Sequence, residues 1–248
     1  MMLAELYIEQ VERLICFLKD TQMESIKKAA RMMADSIADR HPIHVFGTGH
    51  SHILAEEVSF RAGGLRVMSP VLDMGYMVYG GARKSSKLER LPGYASIVLD
   101  NHDVRPGEIL VVVSNSGKNQ GPVEIALYAK QKGLKVVAIT SMAHTTVTPS
   151  EHPCGKRLFE IADLVIDNGS PLGDACLELD PDLPKVGPLS TIACAIVLEC
   201  IVSEIAAELH ARGITPPIAR SGNLPGGEQY NSKVASQYAD VMERIKWR

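Results

Sequence analysis

Apolar residues recur at helical spacing from Leu3 through Leu6, Val11, Leu14, Ile15 and Leu18, and again from Ile26 through Ala30, Met33 and Ile37. This period predicts two helices before about residue 40, with a break near Asp20-Thr21-Gln22 where Asp20 or Thr21 is placed to cap the second. After His41-Pro42 short apolar runs alternate with helical patterns. Strands are expected at about 43–47, 66–71, 109–114, 135–140 and 164–168, and helices at about 51–62, 121–132, 154–162 and 188–211. The runs Ile109-Leu110-Val111-Val112-Val113 and Val136-Val137-Ala138-Ile139 are apolar at every position, as in central parallel strands covered by helices on both faces. The expected architecture is α/β: a doubly wound parallel sheet over residues 41–211, preceded by a helical segment 1–40 that packs on the core or on a partner.

Two stretches read as irregular. Residues 72–106 hold Gly75, Gly80-Gly81, Pro92-Gly93 and Pro106-Gly107 around the basic patch Arg83-Lys84-Ser85-Ser86-Lys87, and exceed a usual connection, so they suit a lid, an anion-attracting loop or a partner contact. Residues 212–230 hold Pro216-Pro217, Pro225 and Gly226-Gly227 ahead of a last helix at about 231–246 in the same domain. The turn-rich Asn223-Leu224-Pro225-Gly226-Gly227-Glu228 is either plain turn chemistry or a loop that reaches a site, its own or a neighbouring subunit's.

One device appears twice. The run Ile43 to Phe46 breaks into Gly47-Thr48-Gly49-His50-Ser51, and Ile109 to Val113 breaks into Ser114-Asn115-Ser116-Gly117, each before a helical pattern. Helix N-termini present unpaired N–H groups and partial positive charge, glycine permits close approach, and hydroxyls add neutral donors, so each loop suits an anion. No Gly-Lys-Ser/Thr follows and the third glycine of a dinucleotide fingerprint is missing, which points to a small phosphorylated molecule rather than a nucleotide. Ligands of doubly wound sheets sit beyond the carboxyl ends of the strands, where both loops fall.

The bulk properties narrow the function further. The 248 residues are 46% hydrophobic and 22% charged with a net charge of −3, ordinary for one sizeable globular core and contrary to a nucleic-acid surface. The apolar stretch from Ile192 to Val202 is too short to cross a bilayer, and the N-terminus lacks the order of a signal peptide, so a cytoplasmic protein without a membrane partner is expected. Five cysteines without a CxxC pair support neither a disulfide framework nor a zinc ribbon. His50 and His52 form an HxH pair with no nearby third ligand, so proton transfer or a hydrogen bond to a sugar hydroxyl suits them better than a metal, and no metal or cofactor is expected.

The strand–GxGxS–helix and strand–SxSG–helix units resemble those of the SIS (sugar isomerase) domain family over roughly residues 40–210. The chain is most similar to the bacterial UPF0309 group through Gly47-Thr48-Gly49-His50-Ser51-His52 with Ala55-Glu56-Glu57, Arg61-Ala62-Gly63-Gly64-Leu65, Val113-Ser114-Asn115-Ser116-Gly117 and Asn223-Leu224-Pro225-Gly226-Gly227. It resembles phosphoheptose isomerases more distantly, in a Glu on the first site helix and a His supplied elsewhere. The resemblance implies a five-stranded parallel sheet of flavodoxin-like order, a homodimer with sites near the subunit interface, and phosphate held by loop hydroxyls. It assigns a phosphosugar to Gly49, Ser51, Ser114, Asn115 and Ser116, with Ser190 or Thr191 starting the helix that closes the site.

The reaction expected on this basis is aldose–ketose interconversion of a sugar phosphate through an enediol, with Glu57 as base and His50 or His52 as acid. Glu56 and Glu57 point about 100° apart on a helix, so only one faces the site. Arg61 either closes on phosphate or pairs with Glu57 one turn before it. His102 and His144 fall near strand-end loops, as proton shuttles or as surface residues. The same fold hosts lyases and deaminases of amino-sugar phosphates as well as non-catalytic sugar-phosphate sensors, which remain open alternatives.

Overall fold

The apolar runs line up as one five-stranded parallel sheet in the computed structural model, which describes residues 2–246. Two helices come first, α1 (Leu3–Thr21) and α2 (Met23–Ala38), followed by β1 (Ile43–Gly47), α3 (His52–Glu57) and β2 (Met68–Pro70). Next are α4 (Ala82–Glu89), α5 (Tyr94–Asp100), β3 (Ile109–Val113), α6 (Gln120–Gln131), β4 (Lys135–Thr140), the single turn α7 (Met142–Thr145) and β5 (Leu164–Asp167). A small antiparallel pair, β6 (Ala175–Leu177) and β7 (Val186–Pro188), leads into α8 (Ser190–Ala211), α9 (Gly227–Gln237) and α10 (Ala239–Met242).

The strand order is β2-β1-β3-β4-β5, with Gly47 in register with Val113, so β1 and β3 end level. Sheet growth reverses between these two strands, and the crevice beyond their carboxyl ends is the switch point at which doubly wound sheets bind ligands. Every residue of β1 and β3 is buried because helices cover both faces. One layer joins Ile26, Ala29, Ala30 and Met33 of α2, Leu54 and Ala55 of α3, and Val197 and Ile201 of α8 against Val45, Val111 and Ile139. The other joins Tyr76, Val98 of α5 and Ile125 of α6 against Phe46, Val112 and Ala138.

Several local expectations change. Gln22, rather than Asp20 or Thr21, stands at the junction of α1 and α2, and the Thr21 hydroxyl donates back to the Phe17 carbonyl at 2.7 Å. The helix expected over 51–62 is a 3-10 turn at Gly49–Ser51 followed by the short α3, which ends before Phe60 at φ 54°. The helix expected over 154–162 reduces to a 3-10 turn at Leu158–Glu160, since Leu158 is the one residue there that the core buries. The stretch 72–106 carries α4 and α5, and the C-terminal helix divides into α9 and α10.

Candidate functional site

Loop 1, after β1, is shaped by glycine. A Cβ on Gly47 would lie 2.3 Å from the Ser51 carbonyl oxygen, so the chain folds back over this residue only because it has no side chain. Gly49 adopts φ 57° and donates its N–H to the Tyr76 carbonyl at 2.9 Å. In loop 2, after β3, Gly117 adopts φ 58°, and its N–H donates to Ser114 Oγ at 3.2 Å. Among the described residues the hydroxyls of Ser51 and Ser116 have no hydrogen-bond partner. They stand beyond two adjacent strands that end level, on either side of the switch point.

Beside loop 1 lies a pocket of about 430 Å³ lined by Gly49, His52, Ile53, Glu56, Met77, Val78 and Tyr79. His52 is 1% exposed and uses both ring nitrogens. The Asp73 N–H donates to Nε2 at 3.1 Å, which leaves Nδ1 to carry the proton and donate to Glu56 Oε1 at 3.0 Å. Burial pushes the imidazole below its ordinary range against the opposing pull of Glu56, so it stands neutral at pH 7. A neutral imidazole thus fixes one oxygen of a carboxylate that is 43% exposed at the pocket wall.

Glu57 is placed differently from its expected role. One position along α3, it pairs with Arg61, whose guanidinium also lies 3.6 Å from Glu199, and it does not line the pocket. The pocket carboxylate is Glu56, because the helical rotation that brings Glu56 under His52 turns Glu57 outward to Arg61. The same contact commits Arg61 to Glu57 rather than to a phosphate. His50 is exposed beside Gly49 and separates from the buried His52. Among the described residues no three His, Cys, Asp or Glu side chains are placed to hold a metal ion.

The remaining candidates divide. Asn115 turns toward β5, where its Oδ1 accepts from Asn168 Nδ2 at 2.9 Å. The Ser190 hydroxyl donates to Asp174 Oδ2 at 2.7 Å while Asp174 Oδ1 accepts the N–H groups of Leu189 and Ser190, so a carboxylate already caps α8 where an anion was expected. Thr191 is exposed outside this cap. His102 sits before β3, at the amino end of the sheet, buried near His44 rather than on the surface. His144 follows β4, with Nδ1 buried and unpaired among the described residues. The loop around Asn223 follows Ala219, which pairs with Gly63 and Gly64 ahead of β2, again at the amino end of the sheet. Thr48 Oγ1 donates to Glu89 Oε1 at 2.5 Å, a contact without a local sequence signal because 41 residues separate the two.

The family model described as SIS domain matches residues 6–141, a span that begins inside α1 and contains both loops. A UPF0309 protein of Caldanaerobacter subterraneus is 40% identical over 244 residues, covering 97% of this chain and 99% of its own. Phosphoheptose isomerase from Neisseria gonorrhoeae shares the fold at a TM-score of 0.59 and 14% identity, over 82% of this chain and 97% of that one. The NanR protein of Vibrio vulnificus, solved with ManNAc-6P, superposes at a TM-score of 0.50 and 12% identity, over 97% of this chain and 70% of that one.

Proposed function

The chain belongs to the SIS domain family and to its UPF0309 members, and on that premise we propose that it binds a sugar phosphate at the β1/β3 switch point and isomerises it. The observation that carries the reading is the pair of unpartnered hydroxyls, Ser51 and Ser116, in glycine-shaped loops on either side of that crevice. With the Ser114 hydroxyl and the loop N–H groups they supply neutral donors for a phosphate. The sugar then extends over Gly49 toward Glu56. Glu56 removes the proton alpha to the carbonyl and returns it to the neighbouring carbon, His52 holds the carboxylate in place, and His50 at the exposed edge serves the oxygen of the enediol. Phosphate binding far from the reacting carbons holds the sugar in register.

The working unit in this reading is a homodimer in the cytoplasm. The long helix α8 has no strongly one-sided apolar face, and Ile196 and Cys200 stay half-buried beside Met23 in a groove of about 370 Å³ that Glu199, Ser203 and Glu204 also line, a face suited to cover by a second copy. Five free cysteines suit a reducing compartment, and no helix among the described residues is long and apolar enough to cross a membrane.

The test incubates the protein with a panel of aldose and ketose phosphates in D2O and follows the carbon-bound protons by NMR, with melting temperatures against the phosphates and the free sugars. Deuterium entry at the carbon next to the carbonyl, with interconversion, is the expected result. Phosphate-dependent stabilisation without exchange makes the chain a binding protein only. No stabilisation by any member of the panel overturns the phosphosugar reading.

A further inference from the structure

Glu89 ends α4 and sets its carboxylate into the side of the crevice. Its Oε1 accepts the buried Thr48 hydroxyl of loop 1 at 2.5 Å, and its backbone carbonyl oxygen would lie 3.2 Å from a Cβ on Gly121, in the first turn of α6. A carboxylate thus reaches one hydroxyl donor of loop 1 from outside the sheet, while the backbone of the same residue abuts the start of α6. Arg90 beside it lies 3.7 Å from Glu89 Oε2 and 3.3 Å from Glu151, which also holds Lys118 of loop 2 at 2.7 Å. Thr48, Glu89-Arg90, Glu151 and Lys118 together form a polar strap from one loop to the other.

The helix that delivers Glu89 is weakly anchored. Of α4 only Ser85 is buried, through a hydroxyl bond to the Tyr76 carbonyl at 2.8 Å. Gly81 at φ 111° and Gly93 at φ 82° flank the segment, and neither has an atom within 4 Å of a Cβ position. The Gly93 N–H is held by Glu124 Oε2 at 2.8 Å, so Gly81 is the freer joint, and moving the polar helix about it breaks the Ser85 bond but uncovers no apolar core side chain.

We propose that the buried Thr48 hydroxyl is a further donor to the phosphate, held by Glu89 until the ligand arrives, so that Glu89 competes with the phosphate for it, binding displaces α4, and only an anion that outbids a carboxylate is retained. The proposal rests on the phosphosugar reading. Two anions do not share one hydroxyl hydrogen, and like charges at this separation repel strongly where solvent is partly excluded. A phosphate dianion reaching both loops gains bonds that compensate, whereas a sugar carboxylate with a single contact does not. Glu89 thereby acts as a selectivity element that favours phosphate esters over sugar acids.

The affinity for inorganic phosphate is measured by calorimetry on the full chain for the wild type, Glu89→Gln, Glu89→Ala, Ser116→Ala, and Glu89→Ala combined with Thr48→Val, beside Thr48→Val alone. Both Glu89 variants are expected to bind about tenfold tighter, and the gain is expected to vanish in the Thr48→Val background. Weakening by Ser116→Ala without tightening in either Glu89 variant overturns the competition and leaves the phosphate site standing. A Glu89 variant that binds more weakly makes the carboxylate a ligand contact and overturns the proposal. Phosphate that binds none of the proteins overturns both readings. The isosteric Gln variant keeps the helix end intact if the Ala variant fails to fold.

Discussion

His52 and Glu56 stand one turn apart on α3, with the Nδ1–H of a buried imidazole donating to the carboxylate at 3.0 Å while the Asp73 N–H closes the other ring nitrogen. Both ring nitrogens of the histidine are engaged, so in the proposed reaction its part is to orient Glu56. Glu56→Gln is therefore expected to lower proton exchange into a sugar phosphate by about a hundredfold or more while leaving phosphate-dependent stabilisation intact. Glu57→Gln, which removes only a surface partner of Arg61, is expected to keep both. Exchange lost in Glu57→Gln and retained in Glu56→Gln reverses the assignment.

Loop 1 has no room for a methyl group at Gly47. Gly47→Ala is expected to cost about 2 kcal/mol and to weaken phosphate binding, because the Ser51 backbone must move away from the new Cβ. Gly222→Ala, where a Cβ meets open space, is the matched control and is expected to change neither quantity. Chemical denaturation with phosphate titration reads both effects.

The C-terminal segment is tied to the floor of the sheet by a buried charge. Glu108 is fully buried, accepts from the Arg105 N–H at 2.8 Å, lies 2.8 Å from His44 Nε2, and pairs with Arg244, which follows α10. Arg244→Met is expected to destabilise the protein by about 3 kcal/mol, because it leaves an underpaired carboxylate in the interior. A denaturation midpoint equal to that of the wild type contradicts this.

Stability is expected to fall with acid before the carboxylates titrate. Burial, with a smaller contribution from His44, pushes His102 down from 6.5 to about 4. The unfolded chain therefore takes this proton first, so the stabilisation present above pH 6.5 is lost progressively as pH falls toward 4. His52 is lowered by burial in the same direction. Melting temperatures across this window, compared with those of His102→Gln, test the assignment: a flatter profile in the variant is the expected outcome.

The sheet was readable because β3 and the Val136–Ile139 part of β4 are apolar runs that helices cover on both faces, and β1 departs from that pattern only at His44. The two Ser/Gly loops were readable for the same reason, since they follow directly from those strands. The choice between Glu56 and Glu57 was not, because it depends on where Asp73 and Arg61 come to rest. Helix α4 shows no apolar period and buries only Ser85, so periodicity had nothing to detect. The cap on α8 comes from Asp174, 16 residues before Ser190 and across a hairpin, which local capping rules do not reach.

With β2 outside β1 and β3 on its other side, the chain leaving β2 runs past loop 1, where the Tyr76 carbonyl accepts the Gly49 N–H, before it returns to the sheet. From Met77 to Leu91 this passage buries a single residue, Ser85, yet it supplies Met77, Val78 and Tyr79, three of the seven residues that line the pocket. Its length and polarity are thus decoupled from the folding of the sheet, so substitutions here can remodel the pocket while the two Ser/Gly loops stay unchanged.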